Sequence, residues 1–338
     1  SSILTLPLIF SIPFAAWSQE AFDLNKVITV GLERNFDILI AHNSSEIASN
    51  NYTLGNAGFL PSVNATSRYS GTIDNITESY TAGGDTTYKG VHNTSASAGI
   101  NLEWTIFQGF NAVVNYRRLN ELKIIGELNT QAAVENYIAR IASEYFLYVQ
   151  QIQLNKNLAY AVSLSRERKR IDEERYLLGA GSKLQLLQSQ VYLNTDSSRY
   201  TQQKEVMRAT QVRMNRLMAM DDIGQDFILL DSNIRINPGL NYDSLLSATL
   251  QWNTSLQISR KQQVISEYDY KIIASRAYPY LNLSAGYSLS LNQFDNSALD
   301  QRQANGANYG LTLGINVFDG NNLRRNRTNA RIAIENQE

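Results

Sequence analysis

The chain has 338 residues, enough for a large core or two domains, a net charge of −1 and no cysteine. Disulfides, thiolate metal sites and cysteine nucleophiles are excluded, and the charge balance gives nucleic acid no electrostatic handle. His42 and His92 stand alone, and no nucleophile triad, phosphate loop or carboxylate pair is present, so no catalytic, cofactor or metal site is expected.

Residues 3–16 form an apolar run too short to span a membrane as a helix, and two prolines interrupt it. Ala16 and Ser18 occupy the −3 and −1 positions of a signal-peptidase site, so residues 1–18 read as the remnant of an export signal. A buried N-terminal strand is the other reading.

Residues 22–58 are helical in pattern, with Leu24, Val27, Ile28 and Leu32 at helical spacing and a kink marked by Asn35 and Asp37. Pro61 ends this segment, because proline disfavours helix in the residue before it. Two alternating segments follow at about 62–70 and 95–107, separated by a Gly, Thr, Asn and Asp rich stretch expected to be an exposed loop. Alternation puts Ile100, Leu102 and Trp104 on one side of a strand and polar residues on the other. Gly109 closes the pair.

A proline-free helical run continues to about residue 178, and Ile138, Ile141, Tyr145, Tyr148, Ile152, Asn155, Ala159 and Val162 step along it by threes and fours. That spacing is a coiled-coil seam. The charged stretch at 166–175 reads as a solvated or inter-helix face. The sequence Leu178-Gly179-Ala180-Gly181-Ser182 supplies a turn, and a second helix runs to about residue 220. Residues 221–241 read as a linker.

From residue 242 the pattern begins again: a helix, Pro279, strands at about 280–292 and 308–318, then Gly320. Asn35 and Pro61 are 26 positions apart, as are Asn253 and Pro279, and Phe107-Gln108-Gly109 matches Phe318-Asp319-Gly320. The chain is therefore an internal duplication, 19–220 and 242–338, with elbows at Pro61, Gly109, Pro279 and Gly320. The second copy stops soon after its strand pair, so a second hairpin is expected beyond residue 338.

In this second strand pair Leu281, Leu283, Leu289, Leu311, Leu313 and Ile315 share the apolar side. Each segment is about the length needed to cross a bilayer as a tilted strand. Four strands cannot close a barrel in lipid, where open edges are not tolerated, so copies must share the sheet. Two copies give about eight strands and three about twelve, and long helices below a wide ring favour the larger one. Phe59, Phe107, Phe110, Tyr278, Tyr280 and Phe318 crowd the elbows, either as an interfacial girdle or as filling for a helix–sheet junction.

The two elbows, the Phe-Asp-Gly strand exit and the run from Arg175 to Gln190 together resemble the TolC family of outer-membrane efflux proteins. In that run Gly179, Ser182, Leu184, Leu187 and Gln190 match the family's hairpin-tip pattern; Gln185 and Ser189 stand where Asp and Ala are usual. The resemblance implies a mainly α fold with membrane β: long coiled-coil hairpins, and four strands per protomer contributing to a trimeric shared β-barrel and an α-helical tunnel. It also implies an outer-membrane exit duct for a tripartite efflux pump or type I secretion system, with no enzymatic activity. A periplasmic adaptor would contact Arg175, Tyr176, Gly179, Ala180, Gly181, Ser182 and Leu184, and an inner-membrane transporter would supply the energy. A soluble periplasmic coiled-coil scaffold is the alternative, and it would need another use for four one-sided strands.

Overall fold

The structure, a computed structural model, describes residues 21–229, 239–295 and 298–337. The export-signal remnant and residues 230–238 of the linker lie outside the described residues. The described chain forms two compact units, one reaching to Ala41 and resuming over residues 131–247, the other holding residues 42–130 and 248 onward.

In chain order the elements are β1 (Ala21–Phe22), α1 (Leu24–Arg34), α2 (Phe36–Asn51), α3 (Leu54–Ala57), β2 (Ser62–Ser79), β3 (Asp85–Gln108), α4 (Asn111–Leu177) and α5 (Lys183–Leu217). There follow β4 (Ile228–Leu229), α6 (Tyr242–Trp252), α7 (Thr254–Ser275), β5 (Tyr280–Gln293), β6 (Gln301–Gly314) and α8 (Asn322–Glu335).

The first unit is built on the α4–α5 hairpin. Its core gathers Val27 of α1, Tyr137, Ile141, Tyr145, Tyr148 and Val149 of α4, and Met214 and Leu217 of α5. The seam enters one residue earlier than heptad spacing indicates. Tyr137 is buried while Ile138 is exposed, because a straight helix repeats every 3.6 residues and 137, 141 and 145 keep one face over that span. Further along the hairpin the contacts turn polar: Gln203 Nε2 donates to Gln151 Oε1 at 2.6 Å, and Ser165 hydrogen-bonds Asp196.

Asn35 explains the kink between α1 and α2. Its Oδ1 accepts from the Asp37 and Ile38 N–H groups while its Nδ2 donates to the Leu217 carbonyl, tying the kink to the hairpin. Asn253 repeats the capping half of this arrangement, accepting from the Leu256 N–H at 3.0 Å at the start of α7.

Tyr137 is 3% exposed and its hydroxyl has no hydrogen-bond partner among the described residues. An unpaired buried hydroxyl costs about 1 kcal/mol or more, so Tyr137→Phe is expected to raise the thermal unfolding temperature. Burial pushes the phenol up to about 12, so the folded chain keeps a proton that the unfolded chain gives up near pH 10. The stability is intact below about pH 10 and is lost as pH rises towards about 12. In Tyr137→Phe this alkaline loss should be smaller; thermal melts at pH 8 and pH 11 measure it.

The second unit carries a four-stranded antiparallel sheet in the order β2-β3-β5-β6. The stretch expected to be an exposed loop at 70–93 instead continues the first hairpin, whose strands run to Ser79 and from Asp85. Its threonines supply the reason: β-branched residues suit a pleated ladder, and Thr77 and Thr87 bond each other across it at 3.2 Å. Likewise β6 starts at Gln301 and ends at Gly314, earlier than the alternation indicates, because residues 301–308, which show no alternation, pair one by one with β5.

Candidate functional site

Register fixes which residues share a face of the sheet. Ala65 lies opposite Ile100, Ile100 opposite Tyr287 and Tyr287 opposite Ala307. Nearer the elbows run Val63, Leu102, Ala285 and Tyr309, then Trp104, Leu283 and Leu311. On the other face the rows read Thr66, Gly99, Ser288 and Gly306, and Asn64, Asn101, Gly286 and Asn308. In these rows one face is apolar across the strands and the other carries hydroxyls, amides and glycine.

Of the residues expected on the apolar side, Ile100, Leu102, Trp104, Leu281, Leu283, Leu289, Leu311 and Leu313 occupy this single face. Ile315 lies just past the end of β6. A bulge between Thr105 and Phe107 shifts the register so that Phe107 joins the apolar row opposite Leu281.

Several elbow aromatics fill the helix–sheet junction. Phe107 and Phe110 meet edge to face with ring centres 5.3 Å apart, Phe59 packs on Tyr116, and the Trp104 indole N–H donates to the Phe59 carbonyl at 2.9 Å. Phe110, Tyr278 and Phe318 nevertheless stay more than half exposed, and Tyr280 is 37% exposed. Both strand exits use the same backbone device, two consecutive left-handed residues: Gly109 and Phe110 at φ 54° and 66°, and Gly320 and Asn321 at 69° and 63°.

The hairpin tip lies between Leu177 and Lys183. Gly179 takes φ +73°, and Ser182 caps α5 in a reciprocal box in which its side chain accepts from the Gln185 N–H and Gln185 Oε1 accepts from the Ser182 N–H. Gln185, the departure from the family pattern, thus closes the cap. Leu177 and Leu178 are the most exposed large residues here, with Leu184 and Leu187 nearby; the sequence places Leu178 in the turn but does not signal the exposure of either. They fall at the end of a helix, where no periodicity signals which side a leucine faces. Further up α4, Arg170 holds Glu167 and Glu174 at 2.6 Å each. Its hydrogen bond keeps the Glu167 carboxyl below the usual range, and this exposed network is a solvated face worth little to stability.

No helix among the described residues is long and apolar enough to cross a membrane. The site is thus a two-faced four-stranded sheet, its edge strands β2 and β6 unpaired among the described residues, in a chain of long helices. The outer membrane efflux protein family matches residues 27–219, and the chain belongs to that family. Its place is the outer membrane.

Among solved structures the fold is similar to that of a membrane protein from Pseudomonas aeruginosa, with a TM-score of 0.70 at 14% identity over 97% of this chain and 77% of that one. The Campylobacter jejuni CmeC outer membrane channel gives 0.68 at 17% over 100% and 74%. The outer membrane protein VceC from Vibrio cholerae gives 0.66 at 16% over 93% and 73%. At these identities the likeness establishes the fold. Among curated protein sequences, none matches the chain.

Proposed function

We propose that the chain is one subunit of a passive exit duct, a homotrimer serving a tripartite efflux pump or a type I secretion system. The observation that carries this is the pair of open edges, β2 and β6, on a sheet whose apolar face has no cover among the described residues. Within lipid each unpaired backbone group costs several kcal/mol, so the edges must meet those of neighbouring copies. Three copies supply about twelve strands and a water-filled lumen lined by the polar face.

The exposed leucines at the tip support docking of a periplasmic adaptor on Arg175, Tyr176, Gly179, Ala180, Gly181, Ser182 and Leu184, since exposed apolar clusters of this kind mark protein contacts. An inner-membrane transporter supplies the energy, and the duct performs no chemistry. The reading is tested by adding the purified full-length protein to a planar bilayer and by washing membranes with carbonate. Stepwise conductance, a cross-linked trimer and retention in the washed membranes are expected. A detergent-free monomer without conductance would sink the duct and leave a soluble scaffold.

A further inference from the structure

The second elbow carries a feature that the first lacks. On α8, Arg324, Arg327 and Arg331 lie at i, i+3 and i+7, one face of the helix, and with Arg276 from the end of α7 they line a cleft of about 680 Å³. None of these four guanidiniums has a carboxylate within ion-pair distance among the described residues. The one carboxylate in the lining, Asp319, is engaged in capping, its Oδ2 accepting from the Leu323 N–H at 2.7 Å.

Two of the arginines are held in place from α7. Arg327 Nη2 donates to the Ala274 carbonyl at 3.1 Å while its buried Nε has no acceptor, and Arg331 Nη2 donates to the Tyr270 hydroxyl at 3.3 Å. At the lip of the cleft Val317 and Phe318 are 91% and 77% exposed.

Internal duplication supplies a control. Aligned on the two elbows, Arg276, Arg324, Arg327 and Arg331 correspond to Gly58, Val113, Tyr116 and Asn120. The cleft at the first elbow is lined by Phe59, Trp104, Phe107 and Phe110 and holds no basic residue among those lining it. The elbow fold therefore does not require the arginines, and something else must account for four of them in one cleft.

We propose that the cleft binds the phosphate of an anionic phospholipid from the periplasmic leaflet. This rests on the duct reading, which puts the strand ends at the level of the headgroups. Guanidinium groups match phosphate geometry and are the usual partners of buried or interfacial phosphates. Cationic pockets beside exposed apolar residues at a membrane boundary fit a headgroup above an acyl chain, and here Val317 and Phe318 supply the apolar side.

The test uses the full-length protein in non-ionic detergent, titrated with dioctanoyl phosphatidylglycerol and followed by native mass spectrometry, with channel conductance recorded in parallel. Wild type should bind about one lipid per subunit and bind the zwitterionic phosphatidylcholine about tenfold more weakly. Arg324→Gln with Arg331→Gln should weaken phosphatidylglycerol about tenfold or more, the scale of lost charge-assisted bonds, whereas Arg325→Gln, off this face, should change it less than about twofold. Equal binding of both lipids, an unaffected double variant, or displacement of the lipid by inorganic phosphate at equal concentration would each overturn the proposal. An assembly that falls apart in the double variant with lipid binding unchanged would do so too, and would give the arginines to a protein contact. Conductance separates the two readings: channels with unselective lipid binding overturn only this one, and absence of channels overturns the duct.

Discussion

Gly109→Ala is expected to destabilise the protein by about 3 kcal/mol or more, and Gly320→Ala, at the equivalent elbow, by about 1 kcal/mol. Both glycines hold left-handed backbone, at φ 54° and 69°, a conformation that costs other residues roughly 1–2 kcal/mol. What separates them is the surroundings. A methyl group on Gly109 would overlap the Ser275 carbonyl oxygen and come within 2.9 Å of Tyr278 Cβ, so backbone at the end of α7 would have to move. Overpacking of that kind adds roughly 1–3 kcal/mol. At Gly320 the added carbon meets only the Asn322 amide, at 3.8 Å, and only the backbone strain remains. Urea midpoints in one detergent compare the pair directly. Equal losses would mean that φ alone sets the need for glycine, and that the close approach of β3 to α7 carries no weight.

The elbows were legible because proline and glycine act locally: each constrains a backbone angle whatever surrounds it. The sidedness of the strands was legible for a similar reason, since period two follows from strand geometry. Strand limits were not. Residues 70–93 are rich in Gly, Thr, Asn and Asp, with Ile73, Ile76, Tyr80, Tyr88 and Val91 at irregular spacing, and nothing in such a stretch distinguishes a loop from a ladder; pairing with a partner strand decides it, as Thr77 and Thr87 show. The same applies to residues 301–308, where β5 provides the template. The bulge that turns Phe107 onto the apolar face arises from a mismatch between two strands distant in sequence, and one strand alone cannot signal it. At the hairpin tip the turn glycines and the Ser182 cap could be read, but the exposure of Leu177 and Leu178 depends on where α4 stops. The cationic cleft was missed because its four arginines come from two segments, and each looks like an ordinary solvated charge until the helices are side by side.

What covers the apolar face can be measured with one pair of substitutions. Ile100 sits near the middle of the apolar band, between Ala65 and Tyr287, and is 58% exposed in the chain by itself. Asn101, its neighbour, points to the polar face between Asn64 and Gly286. If water covered both faces, arginine at either position would change stability by about 0.5 kcal/mol or less, as at ordinary surface sites. If lipid covers the apolar face, Ile100→Arg costs roughly 2–4 kcal/mol per subunit near the bilayer midplane, while Asn101→Arg in a watery lumen stays near zero. Leu281→Arg, at the elbow end of the same apolar face, should fall between them, because the penalty fades towards the interface. The gradient matters more than any single value. A face buried against protein would penalise Leu281 and Ile100 alike, and a face in water would penalise neither; only a bilayer grades the cost by depth along one strand row. Unfolding in urea from lipid vesicles, one variant at a time, reads this gradient, and a flat profile would remove the sheet from the membrane.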